Sequence, residues 1–597
     1  MEFVAHNFVP LLFVGLLLFL LTGFPVAFSL AATGLTFGLL GMEAGLFPRT
    51  LFQALPLRIF GIMQNDTLLA VPFFTFMGIV LERSGMAEDL LETVGQVFGP
   101  LRGGLALATI FVGALLAATT GVMAAAVISM GLISLPIMLR YGYNRSVATG
   151  VITASGTLAQ AIPPSLVLIV MADQLGRSVG DMYAGAIVPG LLLVGLYALF
   201  IVFLSIFRPK WVPALPPEAR IYKEVNGASG HLSLLAIMVI SAVAAFAWAA
   251  LHDGIINPLV GREGKAPMDE VLTLSVTAAA FLVLALALLN RWLRLGLLSQ
   301  LTLRVVFVLL PPLVLIFLVL GTIFIGVATP TEGGAMGALG ALIMAVSRRR
   351  LDFDRLKQAL DNTAKLTCFV IFILIGATVF SFTFNAADGH FWVESLFAKL
   401  PGGQLGFLIA VNILVFILGC FIDFFEIAFI VIPLLVVVAD KLNIDLIWFG
   451  VIIAMNLQTS FLTPPFGFAL FYLRSVAARV DYVDRLTNQR IPAVTTEQIY
   501  KGSLVFIILQ VVMLATVIAF PGLVTGRLGK APAANLDSIK IEAETGGYGA
   551  NEEDPVKFFG PQKMEDKTPQ AETAAPVKEE DPMDAVLRAI EQDVKKK

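Results

Sequence analysis

Apolar runs long enough to cross a lipid bilayer recur along most of this chain, and they limit what it can fold into. About 20 mostly apolar residues span the hydrocarbon core as an α-helix. Twelve such segments lie near residues 3–22, 25–41, 67–81, 147–172, 186–207, 232–252, 271–290, 305–327, 329–346, 366–384, 446–473 and 502–525. Two further apolar stretches, 103–139 and 405–439, have small, polar or acidic residues near their centres, where a helical hairpin would turn back. The predicted fold class is therefore an all-α polytopic membrane protein with about twelve transmembrane helices and two re-entrant helical hairpins.

The composition excludes other broad classes of protein. Of the 597 residues, 58% are hydrophobic and 14% are charged, whereas soluble domains have about 45–50% and about 25%. A soluble multidomain enzyme is excluded on this ground. The formal net charge of −3 gives no indication of a nucleic-acid partner.

The distribution of Lys and Arg predicts the orientation. Loops on one side (82–102, 139–146, 208–231, 291–304, 347–365 and 474–501) contain 22 of them, and loops on the other side contain 7. Positive charge marks the cytoplasmic side, and the run Arg348-Arg349-Arg350 is the strongest single signal. Both termini are therefore predicted to be non-cytoplasmic.

Short motifs recur in the same order in the two halves of the chain. Gly150-Val-Ile precedes Pro163-Pro164, as Gly450-Val-Ile precedes Pro464-Pro465, and each proline pair is followed by a Tyr-x-Gly motif (183–185 and 500–502). The predicted orientation places the matching segments in opposite directions. Such an inverted repeat is typical of secondary transporters, whose sites lie where helices break near the midplane.

These repeats predict the domain organisation. Residues 1–210 form the first inverted repeat, with hairpin 103–139 and broken helix 147–172, and residues 291–526 form the second, with hairpin 405–439 and broken helix 446–473. Residues 211–290 are an inserted helix pair with its loops. The charged tail, 527–597, has the composition of disorder, although an apolar face in its last stretch leaves a short docking helix as the alternative.

Both proline pairs interrupt apolar spans and predict ion-binding breaks. Two successive prolines open a helix, and the freed carbonyls need a partner within the bilayer. Sodium would satisfy them, because hard cations take oxygen ligands; a merely kinked structural helix is the alternative. The candidate residues are Ser155, Gly156, Thr157, Pro163, Pro164 and Ser165 in the first copy, and Asn456, Gln458, Thr459, Ser460, Thr463, Pro464 and Pro465 in the second.

The hairpin centres supply further candidates for sodium or substrate binding. Thr119, Thr120 and Gly121 offer hydroxyls and a small residue at the first turn, and Asp423 and Glu426 place two carboxylates on one helix face at the second. Intramembrane acids indicate ion or proton binding; helix-start carboxylates that accept from backbone N–H groups are the alternative.

A third acidic motif has a structural interpretation. Glu332, with Thr329 and Thr331, is predicted to cap the helix that starts at Pro330. Threonine before a proline in the first turn, followed by glutamate, is typical of a helix start.

Motifs for catalysis are missing from the sequence. Gly261–Ala266 lacks the spacing and the final hydroxyl of a phosphate-binding loop, so no ATP hydrolysis is expected. The four histidines, His6, His231, His252 and His390, lie at termini, span ends or loops, without metal-ligand spacing or a serine partner in a span centre. An intramembrane enzyme is therefore the least favoured class.

Taken together, these segments resemble the large membrane subunit (DctM type) of tripartite ATP-independent periplasmic (TRAP) transporters over residues 8–525. The resemblance rests on Pro72-Phe-Phe, Met77-Gly78, Arg83-Ser-Gly85, Gly150 to Ser165, Tyr183-Ala-Gly185, Pro189-Gly190, Thr329 to Glu332, and Phe449-Gly450 to Gly467. It implies an elevator-type fold in the bacterial inner membrane, importing an organic acid with sodium as coupling ion and no other cofactor. It also implies two partners, a small four-helix membrane subunit and a soluble periplasmic substrate-binding protein.

Two departures from the family pattern bear on the substrate. Val122 and Met123 stand where the family has serines, and Asp423-Phe-Phe-Glu426 replaces a segment rich in Asp, Gly and Thr. The bulky Phe424 and Phe425 indicate a monocarboxylate in place of a short C4-dicarboxylate. A stand-alone sodium/dicarboxylate carrier without a binding protein is the alternative function.

Overall fold

The computed structural model describes residues 7–121, 123–219, 221, 230–261, 264–294, 296–398, 401–484 and 487–526. Within these ranges the side chains of Thr119, Thr120, Asp269 and Ala398 are not described. The tail 527–597 lies outside the described residues, so its predicted disorder and the alternative docking helix stay predictions.

The described chain is almost entirely helical. The helices of the first half are α1 (Phe8–Leu21), α2 (Val26–Glu43), α3 (Leu55–Met63), α4 (Ala70–Arg83), α5 (Met86–Phe98), α6 (Gly104–Thr120), α7 (Met123–Arg140), α8 (Arg145–Thr157), α9 (Leu166–Gln174) and α10 (Val179–Phe207). Short 3₁₀ turns occupy Leu51–Ala54, Asp66–Leu69, Leu158–Gln160, Pro209–Trp211 and Pro217–Ala219.

The second half continues in the same way. Its helices are α11 (His231–Val260), α12 (Met268–Trp292), α13 (Gln300–Phe324), α14 (Pro330–Ser347), α15 (Phe353–Ala386), α16 (Gly389–Ala398), α17 (Gly403–Gly419), α18 (Phe424–Glu426), α19 (Ile432–Lys441), α20 (Leu446–Ser460), α21 (Phe468–Val476), α22 (Thr496–Ala519) and α23 (Gly522–Thr525). A π-helical turn, Ile427–Val431, joins α18 to α19. Strands β1 (Tyr482–Val483) and β2 (Arg490–Ile491) pair antiparallel in a loop.

Among the described helices, eight are long and apolar enough to cross a bilayer. They are Val26–Glu43, Met123–Arg140, Val179–Phe207, His231–Val260, Glu270–Trp292, Gln300–Phe324, Phe353–Ala386 and Thr496–Ala519. The bent pair Leu51–Met63 and Asp66–Arg83, which meet at 47°, would form a ninth. The remaining predicted crossings fall on shorter or interrupted helices or, for 329–346, on the 18-residue helix α14, so the all-α polytopic fold is built from full, bent and broken spans.

Several helices extend beyond the predicted membrane crossings, which lie within them. The span 366–384 belongs to a helix that begins at Phe353, because the Asp352 carboxylate accepts from Arg355 N–H at 2.7 Å and caps it. The span 186–207 likewise begins at Val179, after the N-cap Ser178. An apolar window detects only the part of a helix that faces lipid, whereas the caps set where the helix starts.

Packing between the two halves follows a crossed pattern. Helix α2 packs on α15, and α4 packs on α14; further along the chain α8 packs on α22, and α10 packs on α20. Helices α8 and α20 are counterparts, because each precedes a proline pair, and α10 and α22 are counterparts, because each begins near a Tyr-x-Gly motif. Helix α8 thus packs on the counterpart of α10, and α10 packs on the counterpart of α8. This exchange is expected of two repeats related by a two-fold axis, and it agrees with the predicted repeat and its two helical hairpins.

The Tyr-x-Gly motifs supply the close contact in these crossings. A Cβ atom at Gly150 would lie 2.7 Å from the carbonyl carbon of Gly502, and one at Gly502 would lie 2.9 Å from the Gly150 nitrogen. In the equivalent crossing, a Cβ at Gly185 would lie 3.1 Å from Ile447 Cγ2. Glycine is therefore required where backbones of α8 and α22 approach.

The inserted pair is a helical hairpin whose two helices, α11 and α12, both pack on α13. Helix α11 packs on α12, and α12 packs on α13. His252 and Glu270 are both fully buried between the pair, with Nε2 and Oε1 3.5 Å apart. The domain boundaries at 210 and 290 stay predictions.

An ion pair fixes the loop that contains the strands. Arg140, at the end of α7, donates from Nε to both carboxylate oxygens of Asp484 at 3.0 Å and from Nη2 at 2.8 Å. The Arg140 guanidinium lowers the pKa of Asp484 well below its ordinary value. This contact connects the first hairpin to the loop that follows the second broken helix.

We expect Gly502→Ala to destabilise the protein by about 1–3 kcal/mol, the usual range for overpacking, because the new methyl group would force α8 from α22. Gly195→Ala is the matched control, since Gly195 lies within α10 and a Cβ there meets nothing within 4 Å. Thermal unfolding of the purified variants in detergent measures the difference. Equal unfolding temperatures for Gly502→Ala and Gly195→Ala would contradict the close-contact assignment.

Candidate functional site

The first broken helix lies between α6 and α7, the two helices of the first hairpin. A Cβ atom at Gly113 of α6 would lie 3.2 Å from the Ser155 carbonyl oxygen, and one at Gly156 would lie 3.2 Å from Val127 Cα of α7. At the hairpin tip Gly121 has φ +58°, and a Cβ there would lie 3.6 Å from the Leu166 nitrogen, where α9 begins. Small residues thus let α6 and α7 enclose the break on both sides.

The second broken helix meets the second hairpin in the same manner. A Cβ at Gly419 would lie 3.0 Å from Ser460 Cβ. The Asn456 amide Nδ2 donates to the Asn412 carbonyl oxygen of α17 at 2.7 Å. Two of the predicted site residues, Asn456 and Ser460, therefore contact the hairpin that faces their break.

The first break is enclosed by protein. Helix α8 ends at Thr157, a 3₁₀ turn follows, and the chain is non-helical until Leu166. Ser165 Oγ donates to the Gln160 carbonyl oxygen across the break at 2.9 Å, and Thr157 Oγ1 donates to the Ala154 carbonyl oxygen at 2.9 Å. Pro163 and Pro164 are buried. Within the part of the chain that the structure describes, Ser155 Oγ and Gln160 Oε1 are buried without a hydrogen-bond partner.

The second break is more open. Its hydroxyls donate hydrogen bonds within the segment. Thr459 Oγ1 donates to the Met455 carbonyl oxygen at 3.1 Å, and Thr463 Oγ1 donates to the Thr459 carbonyl oxygen at 3.0 Å. Pro464 is half-buried and Pro465 is exposed. The Pro465 carbonyl oxygen accepts from the hydroxyl of Tyr500 at 2.9 Å. The two breaks thus share their local construction but differ in exposure.

Both hairpin tips meet at one cavity of about 160 Å³. Its lining consists of Gly121, Met123, Ala124, Gln160, Leu166, Leu366, Asp423, Phe424, Phe425 and Tyr472. The cavity unites the first tip (Gly121), the first break (Gln160), the second tip (Asp423) and the helix after the second break (Tyr472). We take this cavity as the candidate site.

The two acidic residues at the second tip have different positions. Asp423 lines the cavity, and its carboxylate accepts from Phe424 N–H at 2.7 Å. Glu426 is buried, and its carboxylate accepts from Asp423 N–H at 3.2 Å. They form a capping box at the start of α18, in which Asp423 is the N-cap residue and Glu426 is the third residue of the helix. The helix-start geometry is therefore present, and only Asp423 also faces the cavity.

Of the other predicted residues, Thr329, Thr331 and Glu332 lie outside the described cavity lining. Thr119 and Thr120 are the last residues of α6, and their side chains are not described. Thr329 and Glu332 form a capping box at the start of α14, with Thr329 N–H donating to the glutamate at 2.8 Å. Thr331 Oγ1 donates to the Asp66 carbonyl oxygen at 2.5 Å and ties α14 to the bend before α4.

Sequence reasoning missed a buried polar cluster that joins the two breaks. Gln510 of α22 donates to the Tyr197 hydroxyl at 2.6 Å and approaches Thr157 Oγ1 at 3.4 Å. Gln458 of α20 reaches the same hydroxyl at 3.4 Å. Tyr197 and Gln510 are polar residues within apolar spans, which is the signal that would have revealed them.

The cavity also contains two residues missed in sequence. Gln160 sits between predicted site residues Thr157 and Pro163, and Tyr472 follows the second break. Both contribute polar groups to a lining that is otherwise apolar except for Asp423. A polar side chain close to a proline pair was the available signal.

Paired hairpins and broken helices around one cavity, arranged as an inverted repeat, define a secondary transporter. The chain belongs to the family of the DctM component of tripartite ATP-independent periplasmic transporters, whose family model matches residues 13–523. The resemblance drawn from the sequence is confirmed, and the protein is a multi-pass inner-membrane transport protein and not an enzyme. Large permeases of this family act in secondary transport that depends on a binding protein.

Characterised relatives transport different acids. The C4-dicarboxylate TRAP transporter large permease protein DctM of Pseudomonas aeruginosa is 29% identical over 432 residues, covering 72% of this chain and 82% of that protein. The sialic acid TRAP transporter large permease protein SiaM of Vibrio cholerae is 26% identical, covering 76% and 87%. The isethionate TRAP transporter permease protein DctMQ of Oleidesulfovibrio alaskensis is 25% identical, covering 80% and 62%.

We expect Tyr197→Phe to destabilise the protein by about 1–3 kcal/mol, because the buried amides of Gln458 and Gln510 lose their shared partner. Tyr183→Phe is the matched control: Tyr183 is also fully buried in α10, but its hydroxyl has no partner among the described residues. Thermal unfolding of both variants gives the comparison. If the two substitutions shift the unfolding temperature equally, the cluster does not stabilise the contact between the breaks.

Proposed function

We propose that this chain carries an organic acid inward across the membrane, driven by a sodium gradient, and that substrate and sodium bind at the cavity between the two hairpin tips. The observation that carries the proposal is the convergence of Gly121, Gln160 and Asp423 on that cavity. These residues come from the two halves of the inverted repeat. Transporter folds of this kind place substrate and ion at the repeat interface.

The charge of the cavity favours co-binding of a cation. Its described lining includes Asp423 but neither lysine nor arginine. An anionic substrate would therefore meet a carboxylate without a fixed positive charge nearby, and like charges in a low-dielectric site repel strongly. A bound sodium ion would remove this repulsion, so that acid and sodium enter together.

The available donor atoms suit sodium. Ser155 Oγ and Gln160 Oε1 are buried oxygen atoms without a hydrogen-bond partner among the described residues, and Asp423 adds a carboxylate. Oxygen ligands of this kind are those that hard cations prefer. Of these residues Gln160 and Asp423 line the cavity, and we propose that they hold the ion.

The remaining lining supports an organic acid with an apolar part. Phe424 and Phe425 border the cavity with ring centroids 3.8 Å apart, next to Met123 and Leu166. Gln160 and Tyr472 would donate hydrogen bonds to a carboxylate. We therefore propose a monocarboxylate as the substrate class.

Alternating access by an elevator motion fits the arrangement of the helices. The hairpins and broken helices pack on one another, whereas α2, α4, α14 and α15 form a second group of crossed pairs, which contacts the hairpins through α4 and α15. The first break is buried while Pro465 and Phe466 of the second are exposed. We propose that the hairpin group moves against the other group and exchanges which break is accessible.

The proposed partners are a small four-helix membrane subunit and a soluble periplasmic binding protein that delivers the acid. The family assignment supports them. The stand-alone sodium/dicarboxylate carrier gains no support from the comparisons, since the relatives described above are TRAP permeases.

Asp423→Asn tests the proposed sodium site. We expect sodium chloride to raise the unfolding temperature of the purified protein more than potassium chloride at equal ionic strength, because only the folded state binds the ion. Asparagine caps a helix nearly as well as aspartate, so the variant should fold. Its half-saturating sodium concentration should rise at least about tenfold, which corresponds to about 1.4 kcal/mol.

Glu332→Gln is the control, because it makes the same change at an exposed helix cap outside the cavity. It should leave the sodium response unchanged. A sodium response in Asp423→Asn that equals that of the wild type would return Asp423 to a purely structural role as the cap of α18.

A further inference from the structure

A second and larger cavity lies away from the candidate site, at helix ends that the arginine distribution places in the cytoplasm. It has a volume of about 940 Å³. Its walls come from α5, the inserted helix α12, and helices α13 and α14, and they consist of Asp89, Leu288, Arg291, Gln300, Leu303, Arg304, Phe307, Val308, Pro311, Met344, Ser347, Arg348 and Arg350. Nothing in the transport proposal uses this cavity.

The same order of polarity occurs on three of these helices. On α12 Leu288 precedes Arg291 by one turn, and at the end of α14 Met344 precedes Arg348 by one turn. Helix α13 runs in the opposite direction, and there Arg304 precedes Phe307 and Val308 by one turn. In each helix the arginine is nearer the predicted cytoplasmic end and the apolar side chain is deeper. The cavity therefore has a cationic mouth and an apolar interior.

Positive charge exceeds negative charge at the mouth. Asp89 is the single carboxylate among the described lining residues, and its oxygens lie 3.2 Å from Arg348 Nη1, 3.2 Å from Arg350 Nη2 and 3.5 Å from Arg304 Nη2. Glu92 also lies 3.8 Å from Arg304 Nη2. The described lining therefore holds four arginines and one carboxylate, so it carries net positive charge.

Two arginines retain donors for a ligand. The Arg291 guanidinium lies 5.5 Å from the centroid of the Phe307 ring, and among the described ion pairs no carboxylate lies within 4.0 Å of it. Arg304 Nε is buried and has no hydrogen-bond partner within the described part of the chain. Both residues line the cavity, and its deeper wall is apolar.

We propose that this cavity binds an anionic phospholipid of the cytoplasmic leaflet. Its phosphate would accept hydrogen bonds from Arg291 and Arg304, since guanidinium groups match phosphate oxygens in geometry and charge. The acyl chains would lie along Phe307, Pro311 and Met344. Basic pockets between transmembrane helices on the cytoplasmic side bind anionic headgroups in this way. The lipid would then connect the inserted helix α12 to α13 and α14.

Phosphatidylglycerol is the probe, with phosphatidylcholine as the zwitterionic lipid and inorganic phosphate as the free anion. We expect phosphatidylglycerol to bind the full-length protein in detergent, measured by native mass spectrometry and by the rise in unfolding temperature. The double variant R291Q/R304Q should lose affinity at least tenfold. Arg294→Gln is the matched control, because Arg294 is exposed at the end of the same helix and does not line the cavity.

Several results would overturn the proposal. Undiminished phosphatidylglycerol affinity in R291Q/R304Q would show that these arginines do not bind the headgroup. Equal binding of phosphatidylcholine would reduce the site to an apolar groove, and saturation by millimolar inorganic phosphate would identify a free-anion site. If the double variant unfolds during purification, Arg291→Gln alone is used, because Arg291 has no ion pair among the described residues. The single substitution should still lower the affinity for phosphatidylglycerol.

Discussion

Backbone polar groups cannot remain without partners in a bilayer, and this constraint determines how the two proline pairs are used. Each pair opens a helix and releases carbonyl and N–H groups that lipid cannot satisfy. The structure encloses the first break with a helical hairpin whose glycines allow backbone contact, at Gly113 and at Gly121. The hairpins, their small residues and the inverted repeat all follow from the need to cover those openings.

The same enclosure produces a site with unusual electrostatics. Bringing both tips to one cavity places Asp423 in a lining that has no described lysine or arginine. A transporter of anions with such a lining needs a positive charge from elsewhere. We propose that a coupling cation supplies it, so that ion dependence and substrate binding have one physical origin.

Sequence reasoning predicted the features that depend on local chemistry. Pro163-Pro164, Pro464-Pro465 and the Thr329–Glu332 motif each act on residues within a turn or two, and the structure shows an opening or a cap at each. The repeat was also accessible, because its motifs keep their order. Helix starts such as Phe353 were not, because a cap outside the apolar window sets them.

Features that depend on tertiary packing could not be predicted. Tyr197 and Gln510 are far apart in sequence, and only the packing of α10 on α22 brings them together beside Thr157. The distinction between Asp423 and Glu426 likewise depends on which of them faces the other hairpin. From their positions in the sequence alone, Asp423 and Glu426 are equally good candidates for ion binding.

Uptake into proteoliposomes is the direct test of sodium-driven transport of an organic acid by this chain. The chain would be reconstituted with its small membrane subunit and binding protein, and pyruvate, phenylpyruvate, succinate and isethionate would be offered at fixed voltage and pH. We expect the transported acid to accumulate inside the proteoliposomes only when sodium is present outside. Accumulation at the same rate with potassium on both sides would contradict it.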